Sequence, residues 1–367
     1  MLKGLLKLDW ILITAAVLLL GLSLAVLYPI SYGQQDTNLD ASHFFRQLVF
    51  VFLGLAVFIF FVFSDYRLLR GYSTALYLAG ALFLFLVLIF GKTVRGTTGW
   101  IGISGFNLQP VEIFKVIIAI TLAKYFSMNS RSIREARHIF ISAVPVIFAT
   151  LLVLKQPDLG SALIMLVAWV GALIVSGTRK KYIFLLIIAG IVLSLFSWNY
   201  LLKDYQKERI LALRDPFADP KGTGYNIIQS TVAVGSGGFW GKGLGHGSQS
   251  QLNFLPEKHT DFIFAVIAEE LGVVGAVFVL ALMATIVIRL LSIARNSRDN
   301  FGKILVSTFA VIILAQAVIN IGMNIGVMPI TGIPLPFLSY GGSSLISMIA
   351  VLGISQSVYR KGGARLD

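Results

Sequence analysis

Apolar residues run through this chain in blocks of roughly twenty, the length a helix needs to cross a bilayer, separated by short polar segments. Such blocks cover residues 10–30, 45–63, 72–90, 111–127, 139–154, 159–177, 182–200, 262–288, 304–326 and 339–357. Only one interruption is long, at residues 203–260. The pattern predicts an all-α polytopic membrane protein with ten transmembrane helices. An even number of crossings puts both termini on one side. Residues 1–367 then form one membrane domain with a single large loop, and no separate soluble domain.

Composition agrees with the pattern. The chain is 57% hydrophobic and 13% charged, where a soluble globule carries about 25% charged residues, and its mean hydropathy is +0.84. Lys and Arg in short loops resist translocation, so their distribution assigns the sides. Eighteen of them, from Lys3 and Lys7 to Arg360, Lys361 and Arg365, fall on the side of the termini. Five, namely Arg46, Lys92, Arg95, Lys115 and Lys155, fall opposite, and the long loop holds seven. The termini are therefore expected to be cytoplasmic and the long loop extracytoplasmic. Most of the net charge of +13 then reflects topology and contact with anionic lipid, with no call for nucleic acid. The first block is too long for a secretory signal core and lacks a small-residue cleavage site after it, so it reads as a retained anchor. With no cysteine in the chain, disulfides and Cys-ligated metals are excluded.

Acidic residues add a second asymmetry. Twelve, including Asp36, Asp40, Glu112, Asp158, Glu257, Asp261, Glu269 and Glu270, fall on or near the outer side, against five (Asp9, Asp65, Glu135, Asp299, Asp367) inside. A carrier with alternating access needs ionisable groups reachable from both faces and a site near the midplane. The distribution here suits chemistry at one face.

Three outer clusters are candidates. LQPVEIFK at 108–115 places Pro110 in a first helical turn, where its missing N–H has no partner to lose, and Glu112 and Lys115 on one helix face. They read either as a structural ion pair or as part of a site. KQPDLG at 155–160 sets Asp158 at the start of the next helix, where N-capping alone would explain it. A sharper expectation is that Asp158 meets Lys115 across the helices and fixes an outer cavity. The third cluster is the long loop, whose start resembles an interfacial helix with Lys203, Lys207, Arg209 and Arg214 available to an anionic headgroup. Its IIQSTVAV segment is too short to span and reads as re-entrant.

The glycines of GSGGFWGKGLGHG allow close backbone approach, but the phosphate-loop pattern fails because Ser236 and Gly243 stand where Gly and Ser or Thr are required. Either the segment is a surface hinge, or its amides and Lys242 contact a pyrophosphate. His246, His259, Glu257 and Asp261 lack metal-site spacing, so no protein-built metal site is expected. A divalent cation carried mainly on a substrate pyrophosphate needs only one or two carboxylates.

The segment NFLPEKHTDFIFAVIAEE concentrates the chemistry. Asp261 stands where the long polar loop meets an apolar helix, and a partly desolvated carboxylate beside cations makes a useful base. Glu269, eight residues on, lies about 80° around the helix from Asp261 and could support the same cavity. Glu270, nearly opposite, is expected to hydrogen-bond another helix.

These stretches, with DPFADPKGTGYNIIQS and PITGIPLPFLSYGGSS, resemble over essentially the full length the SEDS family of bacterial shape, elongation, division and sporulation proteins. The resemblance implies a peptidoglycan glycosyltransferase that polymerises lipid II at the outer face of the bacterial cytoplasmic (inner) membrane, beside a class B penicillin-binding protein that crosslinks the strands. It carries the family's essential acid to Asp261, its helix-end pair to Glu112 and Lys115, its QPDLG acid to Asp158 and its outer-loop tryptophan to Trp100. Relatives often have Arg directly before that Trp. This chain has Thr98 and Gly99, with Arg95 the nearest base.

The expected reaction is attack by the 4-hydroxyl of a lipid II GlcNAc on the anomeric carbon of an undecaprenyl-pyrophosphate-linked glycan. Asp261 takes the proton, and Arg209, Lys242 or Lys258 faces the departing pyrophosphate. No cofactor is expected. Two other classes remain open, a lipid II flippase and a non-catalytic scaffold of the elongation machinery.

Overall fold

The computed structural model describes residues 7–32, 41–94, 96–103, 106–200, 202–219 and 222–362. Among these, ten helices are of membrane-spanning length: α1 (Trp10–Tyr32), α2 (Ala41–Phe63), α3 (Tyr66–Phe90), α4 (Pro110–Met128), α5 (Arg137–Lys155), α6 (Leu159–Ser176), α7 (Lys180–Tyr200), then, after the long loop, α11 (Ile263–Arg295), α12 (Asn300–Asn324) and α13 (Gly342–Gly362). Nine qualify as spans by length and apolar composition. The other is α4, which carries Glu112, Lys115 and Lys124. The all-α polytopic expectation holds. Lys3, Arg365, Asp367, Asp36, Asp40 and Arg95 lie outside the described residues.

Local chemistry sets several helix starts. Asp65, Asp158 and Asp299 each accept a backbone N–H of the following turn, at 3.0, 2.8 and 2.7 Å, so their carboxylates satisfy amides that have no partner inside the helix. Pro110 occupies the first turn of α4 as its missing donor predicts. Helix α12 is the centre of the bundle, packed on α4, α6 and α11, while α13 packs on α2. In contrast, no residue of α7 is buried.

One element departs from the all-helical reading. Strands β1 (Lys92–Val94), β2 (Thr97–Ile103) and β3 (Phe106–Leu108) form a small antiparallel sheet between α3 and α4, pairing Lys92 with Trp100 and Ile101 with Leu108. Its strands are too short and glycine-broken to show period-two alternation. The long loop folds as α8 (Asp204–Arg214), a single 3₁₀ turn, α9 (Thr223–Ser236) and the four-residue α10 (Ser248–Gln251). Helix α9, which contains the IIQSTVAV segment, packs on α8, α11 and α12.

Helix α11 is broken at Gly272, whose φ of 66° and ψ of −161° no other residue adopts cheaply. The glycine-rich loop fills the break. Amides of Lys242 and Gly243 donate to the carbonyls of Glu269 and Glu270 at 3.1 and 2.9 Å, and carbonyls of Gly238 and Phe239 accept from the amides of Val273 and Val274 at 3.0 and 3.3 Å. A Cβ on Gly241 would stand 2.2 Å from the Glu270 carbonyl oxygen, so the approach admits only glycine.

Candidate functional site

Asp261 lies in the turn just before α11 and lines a cavity. Three successive backbone carbonyls fix that turn. The His259 carbonyl accepts from the Tyr340 amide at 2.8 Å, the Thr260 carbonyl from the Ser339 hydroxyl at 2.6 Å, and the Asp261 carbonyl from the side-chain amides of Asn320 and Asn324, each at 3.0 Å. The donors come from the end of α12 and from the irregular Pro329–Gly341 segment, in which repeated prolines and glycines prevent regular helix formation. The same segment packs on the start of α6, where a Cβ on Gly160 would meet Ile333 at 2.7 Å and the Thr331 carbonyl at 2.9 Å. Gly332 backs the carboxylate, with its Cβ position 3.7 Å from Asp261 Oδ2.

The cavity measures about 290 Å³ and draws its walls from α2, the small sheet, the starts of α6 and α13, helix α8 and the Asp261 turn. Its charged lining residues are Arg46, Asp158, Arg209 and Asp261. Arg209 reaches the Ile330 carbonyl at 3.5 Å and lies 5.9 Å from the Tyr205 ring centre. Trp100 also lines the cavity, its indole N–H donating to Thr97 at 3.2 Å. Gln109 links the walls: its amide N–H donates to Ser343 at 2.8 Å and its side chain to Asp158 at 3.2 Å. His43 stacks on His259 with ring centres 4.7 Å apart, and both meet the Tyr340 ring edge-on. Burial pushes the Tyr340 phenol up, while the neighbouring Arg46 pulls the other way. A carboxylate and two guanidiniums sharing one small cavity can accept a proton and neutralise a departing anion.

Of the sequence-derived candidates, Asp261, Asp158, Trp100 and Arg209 therefore come together. Four do not. The expected Lys115–Asp158 ion pair is replaced by Lys115 with Glu112 at 2.7 Å, both wholly buried. Spacing of i, i+3 on one helix brings that partner within reach without crossing between helices, and Asp158 is claimed by the Ser161 amide and Gln109. Neither Glu112 nor Lys115 lines the cavity. Lys242 also lies outside it, bound to Glu269 at 2.8 Å. The Glu269 carboxylate is fully buried and draws in Lys242 and the amides of Gln249 and Ser250. Of the loop amides offered for a pyrophosphate, those of Lys242 and Gly243 are used by the helix break. Glu269 thus ties down the loop and does not support the cavity, while Glu270 accepts from Ser250 and Gln251 of α10. Lys258 is buried and donates to the Ser250 carbonyl and Asn253, both at 2.7 Å. It lines a second cavity, which shares His43 and His259 with the first.

The sequence pattern does not single out Arg46, Gln109, Tyr340, Asn320 or Asn324. The asparagines did leave a signal, because Gln316, Asn320 and Asn324 recur every four residues on one face of an apolar helix. Among the described residues no three His, Asp or Glu side chains gather as a metal-ligand set.

A polytopic helical bundle with one acid-and-guanidinium cavity at one end is thus the class that fold and site define. The family model of the FtsW, RodA and SpoVE cell cycle proteins matches residues 9–362. The chain belongs to that family. It is 37% identical to the peptidoglycan glycosyltransferase MrdB of Escherichia coli strain K12 over 314 residues, 86% of this chain and 85% of MrdB. To the stage V sporulation protein E of Bacillus subtilis strain 168 it is 38% identical over 357 residues, 96% of this chain and 97% of that one. A chain in a solved peptidoglycan synthase complex, described as coordinating polymerization and crosslinking, superposes with a TM-score of 0.82 at 33% identity, covering 97% of this chain and 99% of that one.

Proposed function

We propose that this chain is a peptidoglycan glycosyltransferase that polymerises lipid II into glycan strands at the outer face of the bacterial cytoplasmic membrane during cell elongation. The observation that carries the reading is that Asp261 shares one cavity with Arg46 and Arg209. The names of the relatives support the activity, and the arrangement supports the roles.

In this reaction the GlcNAc 4-hydroxyl attacks the anomeric carbon of the lipid-linked strand. The new carbon–oxygen bond forms as the bond to the pyrophosphate oxygen breaks, with inversion. Asp261 takes the hydroxyl proton, and undecaprenyl pyrophosphate leaves with its charge met by Arg46 and Arg209. Arg209 is one of the three cations expected from sequence and Arg46 stands in place of Lys242 and Lys258; guanidinium geometry suits paired phosphate oxygens. Trp100 and Asp158 line the same cavity and contact the sugar-peptide part. A divalent cation, where one takes part, travels on the substrate pyrophosphate. A class B penicillin-binding protein is the proposed partner, and the peptidoglycan synthase complex among the similar structures supports it.

The test is to incubate purified protein, alone and with its partner, with lipid II and to resolve the products by size. Glycan strands from wild type and none from Asp261→Asn are expected. Movement of labelled lipid II across vesicles without polymer, under every cation condition, would indicate a flippase, and neither activity would indicate a scaffold.

A further inference from the structure

We infer that Asn324, with Asn320 and Ser339, is a positioning residue for Asp261: the Asn324 side chain is inserted into the backbone ladder at the start of α11 and holds Asp261 out of the helix. In an uninterrupted α-helix the Asp261 carbonyl would accept the Ala265 N–H four residues on. Here that bond is split. The Ala265 N–H donates to Asn324 Oδ1 at 3.0 Å, and Asn324 Nδ2 donates to the Asp261 carbonyl at 3.0 Å. The next bond of the series, Val266 N–H to the Phe262 carbonyl, forms normally at 3.2 Å, so the regular ladder begins one residue beyond Asp261, while the carbonyls of His259 and Thr260 before it are taken by Tyr340 and Ser339.

One inserted amide acts as both donor and acceptor, and the geometry around it is over-determined. Asn320 supplies a second donor to the same carbonyl at 3.0 Å, while also holding the Ile333 carbonyl at 2.8 Å. Asn324 Nδ2 is itself tied to the Asn320 carbonyl at 2.8 Å, and Ser339 fixes the preceding Thr260 carbonyl. Both asparagines are fully buried. In an apolar helix such amides are retained only with partners, and here the partners are the backbone that carries the carboxylate. Without the insertion α11 extends backward through Asp261. Each residue added to a helix turns the side chain by about 100°, which takes the carboxylate away from its place beside Gly332 and toward another wall.

The inference rests on the reading of Asp261 as the proton acceptor. Asn324→Leu, Asn320→Leu and Ser339→Ala are compared with wild type and Asp261→Asn, each purified, using lipid II as substrate. The two asparagine variants are expected to melt as folded protein and to bind lipid II with unchanged affinity, while kcat falls about 10 to 100-fold and KM stays within about twofold, the loss that a misplacement near 1 Å brings. Ser339→Ala keeps the fold with a smaller change and is expected to lose kcat several-fold, which holds the test open if an asparagine variant fails to fold. Wild-type kcat in a folded variant beside an inactive Asp261→Asn overturns the positioning role alone. So does a loss of activity that only follows the loss of folded protein and of lipid II binding. Polymerisation by Asp261→Asn overturns the reading of Asp261 and this inference with it.

Discussion

At the end of the bundle where α1 starts and α13 finishes, carboxylates are paired with cations. Asp9 is gripped by Arg289 through two nitrogens, the shortest contact being 2.6 Å, while its backbone is held by Gln356 on both sides. Asp65 meets Lys361, and Asp299 meets Arg67 at 3.4 Å and the Tyr66 hydroxyl at 2.8 Å. These contacts fasten α1 to α11 and α13, α13 to the α2–α3 turn, and α3 to the start of α12. At the opposite end Asp261 and Asp158 line a cavity with Arg46 and Arg209. Both ends thus carry acids and guanidiniums. What separates them is that one set staples helices together and the other surrounds space. A transported lipid headgroup would need the stapled end to part, and these three ion pairs oppose that, whereas a reaction confined to the cavity needs no such opening.

The contrast can be broken from either side. The largest effect is expected for Asp261→Asn, a loss of about 10² to 10⁴ in turnover with the melting temperature unchanged, read by strand formation and thermal unfolding of the same sample. Arg209→Ala and Arg46→Ala should each lower kcat/KM by roughly tenfold or more, the scale of one lost charge-stabilising contact, and the double variant should lose more than either. Lys242→Ala sharpens the distinction between cavity cations and fastening cations. It should leave kcat/KM within about threefold and destabilise by about 1–3 kcal/mol, because the buried Glu269 loses its counter-charge. If Lys242→Ala instead reduces turnover as much as Arg209→Ala, the two cations do not divide into a cavity charge and a fastening charge.

The smallest effect is a pH dependence at the stapled end. Burial raises the Asp65 carboxyl, but the Lys361 hydrogen bond, the Arg67 amide and the charges of both residues together hold it below its ordinary range. A depressed folded-state value contributes stability that is complete above the unfolded value near pH 4 and is lost as pH falls through the folded one. Wild type should therefore lose melting temperature in acid slightly more steeply than Asp65→Asn, with polymerisation by the two proteins equal at neutral pH.

Much of this was legible beforehand, for identifiable reasons. Membrane spans are read from long apolar runs, and all ten runs correspond to helices in the structure. Asp158 as a cap and Pro110 in a first turn follow from backbone donors that lack partners. Asp261 stood out because a loop-to-helix boundary is where a carboxylate can be both held and reached. Partners were harder. The Glu112–Lys115 structural pair was one of two readings that the i, i+3 spacing allowed, and it is the one that forms; sequence alone does not say that it leaves Lys115 no reach to Asp158. The glycine-rich loop reads from sequence either as a surface hinge or as an anion contact, and the structure shows a third use, backbone bonds to the carbonyls and amides left open by Gly272. That break could not be foreseen because a single glycine inside a long apolar run rarely stops a helix. Arg46 reads from sequence only as a topological charge, since nothing local ties it to the other segments that line the cavity.

The interruption at Gly272 also separates two mechanical demands. From Val273 to Arg295 the helix has 23 residues, about 34 Å at 1.5 Å each, enough to cross a bilayer unaided. The nine residues before the break are held instead by the long loop, through Glu269 and Glu270. The break therefore divides the helix between two supports, a loop-bound segment that leads back to the Asp261 turn and a length of helix sufficient by itself to cross a bilayer.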